Sequence, residues 1–180
     1  MDTVGSNLTE RPFAPARLRS DQPAREPKRC AVVSPLASRA QVARPLSDPG
    51  TTIPIHSDLD IVAARRTGRV LAGQMGFSPT EAVIIATAIS ELARNIVTYA
   101  KDGEIELKRV TRGDQAGLAV VARDHGPGIV DIAQAMQDGF STSGSLGLGL
   151  PGVKRLLDDF DIISEPGRGT TITGRKWKKR

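Results

Sequence analysis

Glu91 and Asn95 stand four residues apart in SELARN (90–95), within a stretch whose apolar residues recur at helical intervals. On a helix such a pair shares one face, well round from the stripe Ile85, Ile89, Leu92 and Ile96 and alongside Ile84 and Ala88. A carboxylate next to an amide oxygen suits a base beside a ligand for a hard cation. Mg2+ keeps several waters and takes few protein oxygens, so one Asn together with phosphate oxygens would suffice. The same two side chains also make an ordinary hydrogen-bonded pair at a solvent edge, and alone they decide nothing.

Three further stretches are chemically suggestive. DHGPGI (124–129) directly follows a strand pattern and places Asp124 at the strand's end, where its carboxylate can accept from the amino group of a base. Gly126 and Gly128 permit close backbone approach or positive φ, although a plain Gly-Pro turn after a strand looks the same. STSGSLGLGLPGVKRL (141–156) runs Gly144, Gly147 and Gly149 straight into a helix, whose free N–H groups and positive dipole end suit an anion. It lacks the G-x-x-x-x-G-K-[ST] run of a Walker loop, and its distance from the first strand argues against a dinucleotide fingerprint. Finally, GRGTTI (167–172) opens the last strand with Thr170, which can reach a base or an ordered water but is also an unremarkable strand residue.

The elements that must position these residues can be read from period and punctuation. TTIPIH (51–56) predicts a short edge strand, because Pro54 cannot donate to a central ladder. A helix follows from Ser57 as N-cap, with Asp60 at N3, to Gly76 as its stop. A second has Ser78 as cap, Pro79 at N1 and Glu81 completing a capping box, and should run to about Tyr99. GEIELKRV (103–110) and GLAVVARD (117–124) predict paired strands around Gly113-Asp114. In the first, Ile105 and Leu107 alternate with Glu104, Glu106 and Lys108, giving one wet face. A short helix over 130–137, a longer one over roughly 147–159 with Leu150, Val153 and Leu157 on one side, and a hairpin turning at Pro166-Gly167 complete the chain. This is an α+β pattern: a two-layer sandwich with helices on one face of a mixed, mostly antiparallel sheet.

Composition bounds the rest. The chain has 180 residues, 3% aromatic, so its core must come from Val, Ile, Leu and Ala. The one cysteine, Cys30, excludes an intrachain disulfide and a Cys-based zinc site. The net charge of +5 invites a nucleic-acid reading, but residues 1–50 carry 8 basic and 5 acidic side chains and the last seven, GRKWKKR, carry 5 basic and none acidic. Residues 51–173 therefore hold 12 basic against 15 acidic, and the basicity belongs to the ends. Basic termini are more often solvated than bound to phosphate, so no nucleic-acid partner is expected. Residues 1–50 hold 7 of the 12 prolines and no lasting apolar period, which predicts a disordered extension ahead of one domain over 51–180. Its arginines would also suit a transit peptide, against which its acidic residues count. With no secretory pattern and a longest apolar run, 83–89, too short for a bilayer, the expectation is a cytoplasmic protein without a membrane partner.

The order of the motifs is more specific than any one of them. E-x-x-x-N on a helix, D-x-G-x-G, G-x-G at a helix start and G-x-G-T before a last strand resembles the GHKL ATPase/kinase family, whose N, G1, G2 and G3 elements occur in this sequence. The likeness covers roughly residues 52–175. Within the family it is similar to the bacterial anti-sigma-type serine/threonine switch kinases of the stressosome. ATAISELARNI (86–96), DHGPGI, DGFSTSGSLGLGLPGVKRL (138–156) and GTTI carry that likeness. The GLPGVKRL continuation and the short lid (129–146) point there more than to sigma-sequestering anti-sigma factors.

The resemblance implies a Bergerat-type ATP-binding fold and a role for each motif. Glu91 would be the general base that takes the proton from an acceptor serine or threonine, and Asn95 the ligand of Mg2+ bridging ATP phosphates. Asp124 would bind the adenine amino group, with Thr170 helping through water. Gly126 and Gly128 would shape the adenine pocket, and Gly144, Gly147 and Gly149 would admit phosphate to the helix N-terminus. Partners implied are STAS-domain antagonist or scaffold proteins as acceptors and a PP2C-type phosphatase activated by binding. No cation is placed by motif as a clamp for the γ-phosphate; Arg94, Lys154 and Arg155 are candidates.

Two relatives of the same fold fit less well. A histidine kinase needs a phosphoacceptor His on a preceding helical hairpin, and residues 1–50 contain no His. A gyrase- or MutL-type ATPase needs further domains. The rival from another class is an anti-sigma factor or binding module that uses nucleotide as a switch or not at all. The intact Glu91/Asn95 pair favours catalysis, because a pure binder has no need of a base beside a metal ligand.

Overall fold

The computed structural model describes residues 50–137 and 149–179, together with the dipeptides Cys30–Ala31 (β1) and Arg44–Pro45 (β2). The expectation of a disordered extension over 1–50 falls mostly outside the described residues. Where they do reach into it, β1 pairs with Ser164 and Ile163, and β2 pairs with Thr111 and Val110.

The sheet is built around a long hairpin. β4 (Gly103–Arg112) and β5 (Gln115–Asp124) pair in register from Gly103↔Asp124 to Arg112↔Gln115, leaving a two-residue loop. Gly113 enters that loop at φ 57, a conformation a side chain would resist. The edge strand β3 (Thr51–Ile55) lies on β4 as expected, with Pro54 opposite Glu104. On the other side β7 (Gly169–Trp177) pairs with β5, and β6 (Asp159–Glu165) pairs with β7. The order is β1-β6-β7-β5-β4-β2, with β3 also on β4, and every pairing is antiparallel. The expected mixed character is thus absent among the described residues: β5 and β6 run in the same direction, but β7 lies between them and pairs antiparallel with both.

Helices α1 (Asp58–Gln74) and α2 (Pro79–Asn95) cover one face. Ile85, Ile89, Leu92 and Ile96 are all 2% exposed or less, and they pack in one cluster with Ile105, Leu107, Leu118, Val120 and Ile172 of the strands. Burial of each such side chain stabilises by roughly 1.5–3 kcal/mol, so this single stripe anchors the helix layer. Gly68 lets α1 approach α2 closely, since a Cβ there would lie 2.1 Å from Ile89 Cδ1. The unbroken run Pro79–Ala100 is also long and apolar enough to cross a membrane by length and composition; here it is the central core helix with Glu81, Glu91 and Arg94 along it.

The opposite face is only half as wet as its alternation suggests. Arg123 bonds Glu104 at 3.1 Å and Glu106 at 2.8 Å, and Lys108 reaches Glu106 at 2.6 Å. Further along, Val110, Ala119 and Trp177 form a second small cluster, with the Arg112 guanidinium 4.4 Å from the Trp177 ring centroid. Trp177 Nε1–H donates to Asp159 and Lys176 to Asp158. Residues 174–177 of the basic C-terminal segment are therefore the end of β7.

Candidate functional site

The start of α2 is fixed by its own sequence. Ser78 Oγ accepts the Glu81 N–H at 3.2 Å, Glu81 Oε2 accepts the Ser78 N–H at 2.9 Å, and Pro79 occupies the position whose N–H has no helical partner. The bonds that Oε2 accepts from the Ser78 N–H and hydroxyl hold the Glu81 carboxyl below its ordinary value of 4.5, with Lys179 adding to the shift. α1 starts similarly. Asp60 reaches back to the N–H groups of His56 and Ser57 at 3.0 and 2.9 Å, and its carboxyl is lowered by those bonds.

The end of α2 differs from the expected run to Tyr99. Regular α-helix stops at Asn95, and Ile96–Ala100 form one π-helical turn closed by Lys101 at φ 70, whose N–H bonds the Ile96 carbonyl at 2.8 Å. Such turns widen a helix locally and recur at functional sites. Glu91 and Asn95, one α-turn apart, are both half-buried, next to the fully buried Ala88. They do not sit on an open solvent edge. Arg94 is exposed.

Ala100 ends the π turn directly under the loop after β5. A Cβ on Gly126 would lie 2.6 Å from Ala100 Cβ, and one on Gly128, at φ 71, would lie 2.2 Å from the Glu165 carbonyl oxygen. The space these glycines leave is thus taken by protein on at least one side: they let the DHGPGI loop press onto the π turn and the β6–β7 turn. Gly167 N–H clasps the Pro127 carbonyl at 2.7 Å across the same contact. Asp124 Oδ1 accepts the N–H of Gly126 at 2.9 Å and of Thr170 at 3.2 Å, which fixes the carboxylate and leaves Oδ2 without a partner among the described residues. Asp124 and Thr170 face each other across the β5–β7 pairing.

One residue here entered the sequence reading only within the G-x-G-T motif, and one was not singled out at all. Gly169, at φ 103, has its missing Cβ 2.0 Å from the Asp124 carbonyl oxygen. Ser164 is a buried hydroxyl that meets Ile129, Gly169 and Thr170. Its signal was legible: in FDIISE it shares the inward phase of Ile162, where an apolar residue is the rule.

The third glycine motif falls largely outside the described residues, Gly144 and Gly147 included. Gly149 opens α4 (Gly149–Leu156) at φ 60, and the helix is eight residues long, shorter than expected because Asp159 already begins β6. Lys154 and Arg155 occupy its last turn, the end where cations complement the helix dipole. The end where an anion would bind is the opposite one. The short helix expected over 130–137 is α3 (Ile132–Ala135), capped by Asp131 accepting the Gln134 N–H.

A cleft of about 280 Å3 opens beside this region, lined by His56, Asp102, Glu104, Arg123 and His125 among others, with His56 Nδ1 2.9 Å from Asp102 Oδ1. None of Glu91, Asn95, Asp124 or Thr170 lines it. The residues brought together by hydrogen bonds and close packing are instead Asp124, Thr170, Ser164 and the three glycines 126, 128 and 169, with the π turn that continues from Asn95 beneath them. A carboxylate oxygen and a threonine hydroxyl side by side form a hydrogen-bonding wall suited to the edge of a base.

The family described as histidine kinase-, DNA gyrase B-, and HSP90-like ATPase matches residues 80–179. The serine/threonine-protein kinase RsbT of Bacillus subtilis (strain 168) is 53% identical over 123 residues, covering 68% of this chain and 92% of that protein. The anti-sigma F factor of Thermoanaerobacter sp. (strain X514) is 31% identical over 120 residues, 63% of this chain and 82% of that protein. Among solved structures, the RsbU and RsbW domains of Rv1364c from Mycobacterium tuberculosis share the fold at a TM-score of 0.50 and 19% identity. That match covers 73% of this chain and 33% of that one.

Proposed function

The chain belongs to the histidine kinase-, DNA gyrase B- and HSP90-like ATPase family, on a branch with RsbT-like kinases, and from that premise we propose that it is an ATP-dependent protein serine/threonine kinase of the partner-switching type. The observation that carries the proposal is the pairing of two half-sites on one helix and one strand end. Glu91 and Asn95 lie on the last turns of α2. Asp124, held by two N–H groups with one oxygen to spare, lies across the π turn that continues from them.

In this reading Asp124 Oδ2 and Thr170 receive the adenine amino group, and the loop entering α4 receives the phosphates. Asn95 offers the one amide oxygen that Mg2+ bound to ATP requires. No cluster of three or more His, Cys, Asp or Glu exists among the described residues, so the donor set fits a cation held chiefly by phosphate and water. When bound, Mg2+ would neutralise charge on the phosphates. Glu91 takes the proton from the acceptor hydroxyl as its oxygen bonds the γ-phosphorus, the bond from that phosphorus to the β,γ-bridging oxygen breaks, and ADP leaves. STAS-domain antagonist or scaffold proteins are the proposed acceptors and a PP2C-type phosphatase a second, non-covalent partner, in a cytoplasmic stress-response pathway controlling a sigma factor.

Similarity to an anti-sigma F factor supports a second reading, in which the chain holds a sigma factor and uses nucleotide as a switch. One pair of measurements separates the two: ATP binding by calorimetry and transfer of labelled phosphate to a STAS-domain protein. Glu91→Ala should keep ATP affinity within about twofold while transfer falls by on the order of 10²–10⁴. Transfer by Glu91→Ala at the wild-type rate would remove Glu91 as the base. Binding without any transfer by the wild-type protein would give the lead to the second reading.

A further inference from the structure

Ser164 is 4% exposed, and its hydroxyl has three neighbours at hydrogen-bond distance. It accepts the N–H of Ile129 at 2.8 Å, lies 3.0 Å from the Gly169 carbonyl oxygen, and lies 2.9 Å from Thr170 Oγ1. A hydroxyl has one proton and two lone pairs, whereas a carbonyl has only lone pairs. The one assignment that makes all three contacts hydrogen bonds gives the proton of Ser164 to Gly169, since otherwise two oxygens would face each other 3.0 Å apart with nothing between them. Its lone pairs then take the Ile129 N–H and the proton of Thr170. Ser164 is saturated, and the hydroxyl proton of Thr170 is spent inside the protein.

We infer that Ser164 is a positioning residue for base specificity: by absorbing the Thr170 proton it makes Thr170 Oγ1 an acceptor alone. Asp124, its partner across the β5–β7 pairing, carries Oδ2, also an acceptor, so the pair offers lone pairs and no side-chain donor. Such a wall fits a purine with an amino group at position 6, directly or through a water, and is mismatched to one with an oxo group there. The proposal rests on the reading of Asp124 and Thr170 as the base contacts. It adds a residue that touches no nucleotide and sets which base is accepted. Ser164 also ties the end of the DHGPGI loop, through Ile129, to the same hydroxyl pair.

The test is calorimetric binding of ADP and IDP to the full-length protein, because the two differ only in exchanging the 6-amino group for a 6-oxo group with a proton on N1. The wild type should prefer ADP. Ser164→Ala frees Thr170 to turn its proton outward, and the preference should shrink on the order of tenfold, the equivalent of one neutral hydrogen bond. Ser164→Thr retains the hydroxyl and should restore it. In a Thr170→Val background, Ser164→Ala should leave the ratio unmoved, since the residue it acts through is gone. Ser164→Cys, with a weak thiol donor and acceptor, should also lower the preference and serves if Ser164→Ala does not fold. A folded Ser164→Ala or Ser164→Cys protein with the wild-type ADP-to-IDP ratio would overturn the inference. An Asp124→Asn protein that binds ADP as tightly as wild type would overturn the base-pocket reading, and this one with it.

Discussion

The N-terminal end of α2 is held by residues of its own sequence, whereas its C-terminal end takes its shape from the loop and strands packed against it. At the first end Ser78, Pro79 and Glu81 close a capping box through contacts three residues apart. At the second the helix passes Asn95 into a π turn, and Ala100 comes to rest under Gly126, whose loop is clasped in turn by the β6–β7 turn. The first end is fixed by local hydrogen bonds. The second carries Glu91 and Asn95 and owes its form to contacts far apart in the chain. Local rules suffice to start a helix, but the geometry of a site that joins a helix to a strand end is a property of their packing.

This contrast can be broken by substitution, beginning with the packed end. Gly169→Ala places a Cβ 2.0 Å from the Asp124 carbonyl oxygen at a φ of 103, so it should destabilise the domain by more than about 3 kcal/mol in denaturant unfolding. A variant as stable as the wild type would show that the two strand ends are not locked together. Next, Asn95→Ala should weaken Mg-dependent ATP binding by on the order of ten- to a hundredfold while leaving unfolding unchanged. Equal losses with and without Mg2+ would instead assign Asn95 a structural part.

At the capped end the expected effects are smaller and purely structural. Ser78→Ala should cost about 1 kcal/mol of stability. ATP affinity should not change, and a measurable change in it would mean the two ends communicate through α2. Acid should act at this end too. Because the folded-state pKa of Glu81 is lowered from 4.5, its contribution is fully present above 4.5 and is lost as pH falls through the lowered value. Glu81→Gln should flatten that part of the stability-versus-pH curve, and an unchanged acid limb would place the sensitivity elsewhere.

Much of the fold was legible. The starts of both long helices, the apolar stripe of α2, the edge strand with Pro54 and both hairpins follow from period, caps and turn residues, whose physics acts within a few positions. The order of the four motifs pointed to the family without any structure. The lengths of helices were less legible: α2 changes type at Ile96 and α4 ends at Leu156, because strands packed nearby, not propensity, decide where each must stop. The outer face of β4 read as wet, yet Trp177 closes its far half, a contact set by a register pairing Gly117 with Trp177.

By itself the sequence determined which residue types stand where chemistry needs them: Glu91 and Asn95 one helical turn apart, Asp124 at a strand end, Thr170 at the head of the last strand. Only the tertiary structure decided what those groups present to a ligand. The Asp124–Thr170 hydrogen bond spans 46 residues, and the Ile129–Ser164 bond spans 35. These distances are closed by the pairing of β5, β6 and β7 and by three glycines whose absent side chains let backbones meet. Ser164 Oγ lies within 3.0 Å of both the Gly169 carbonyl oxygen and Thr170 Oγ1. Folding alone brings them there.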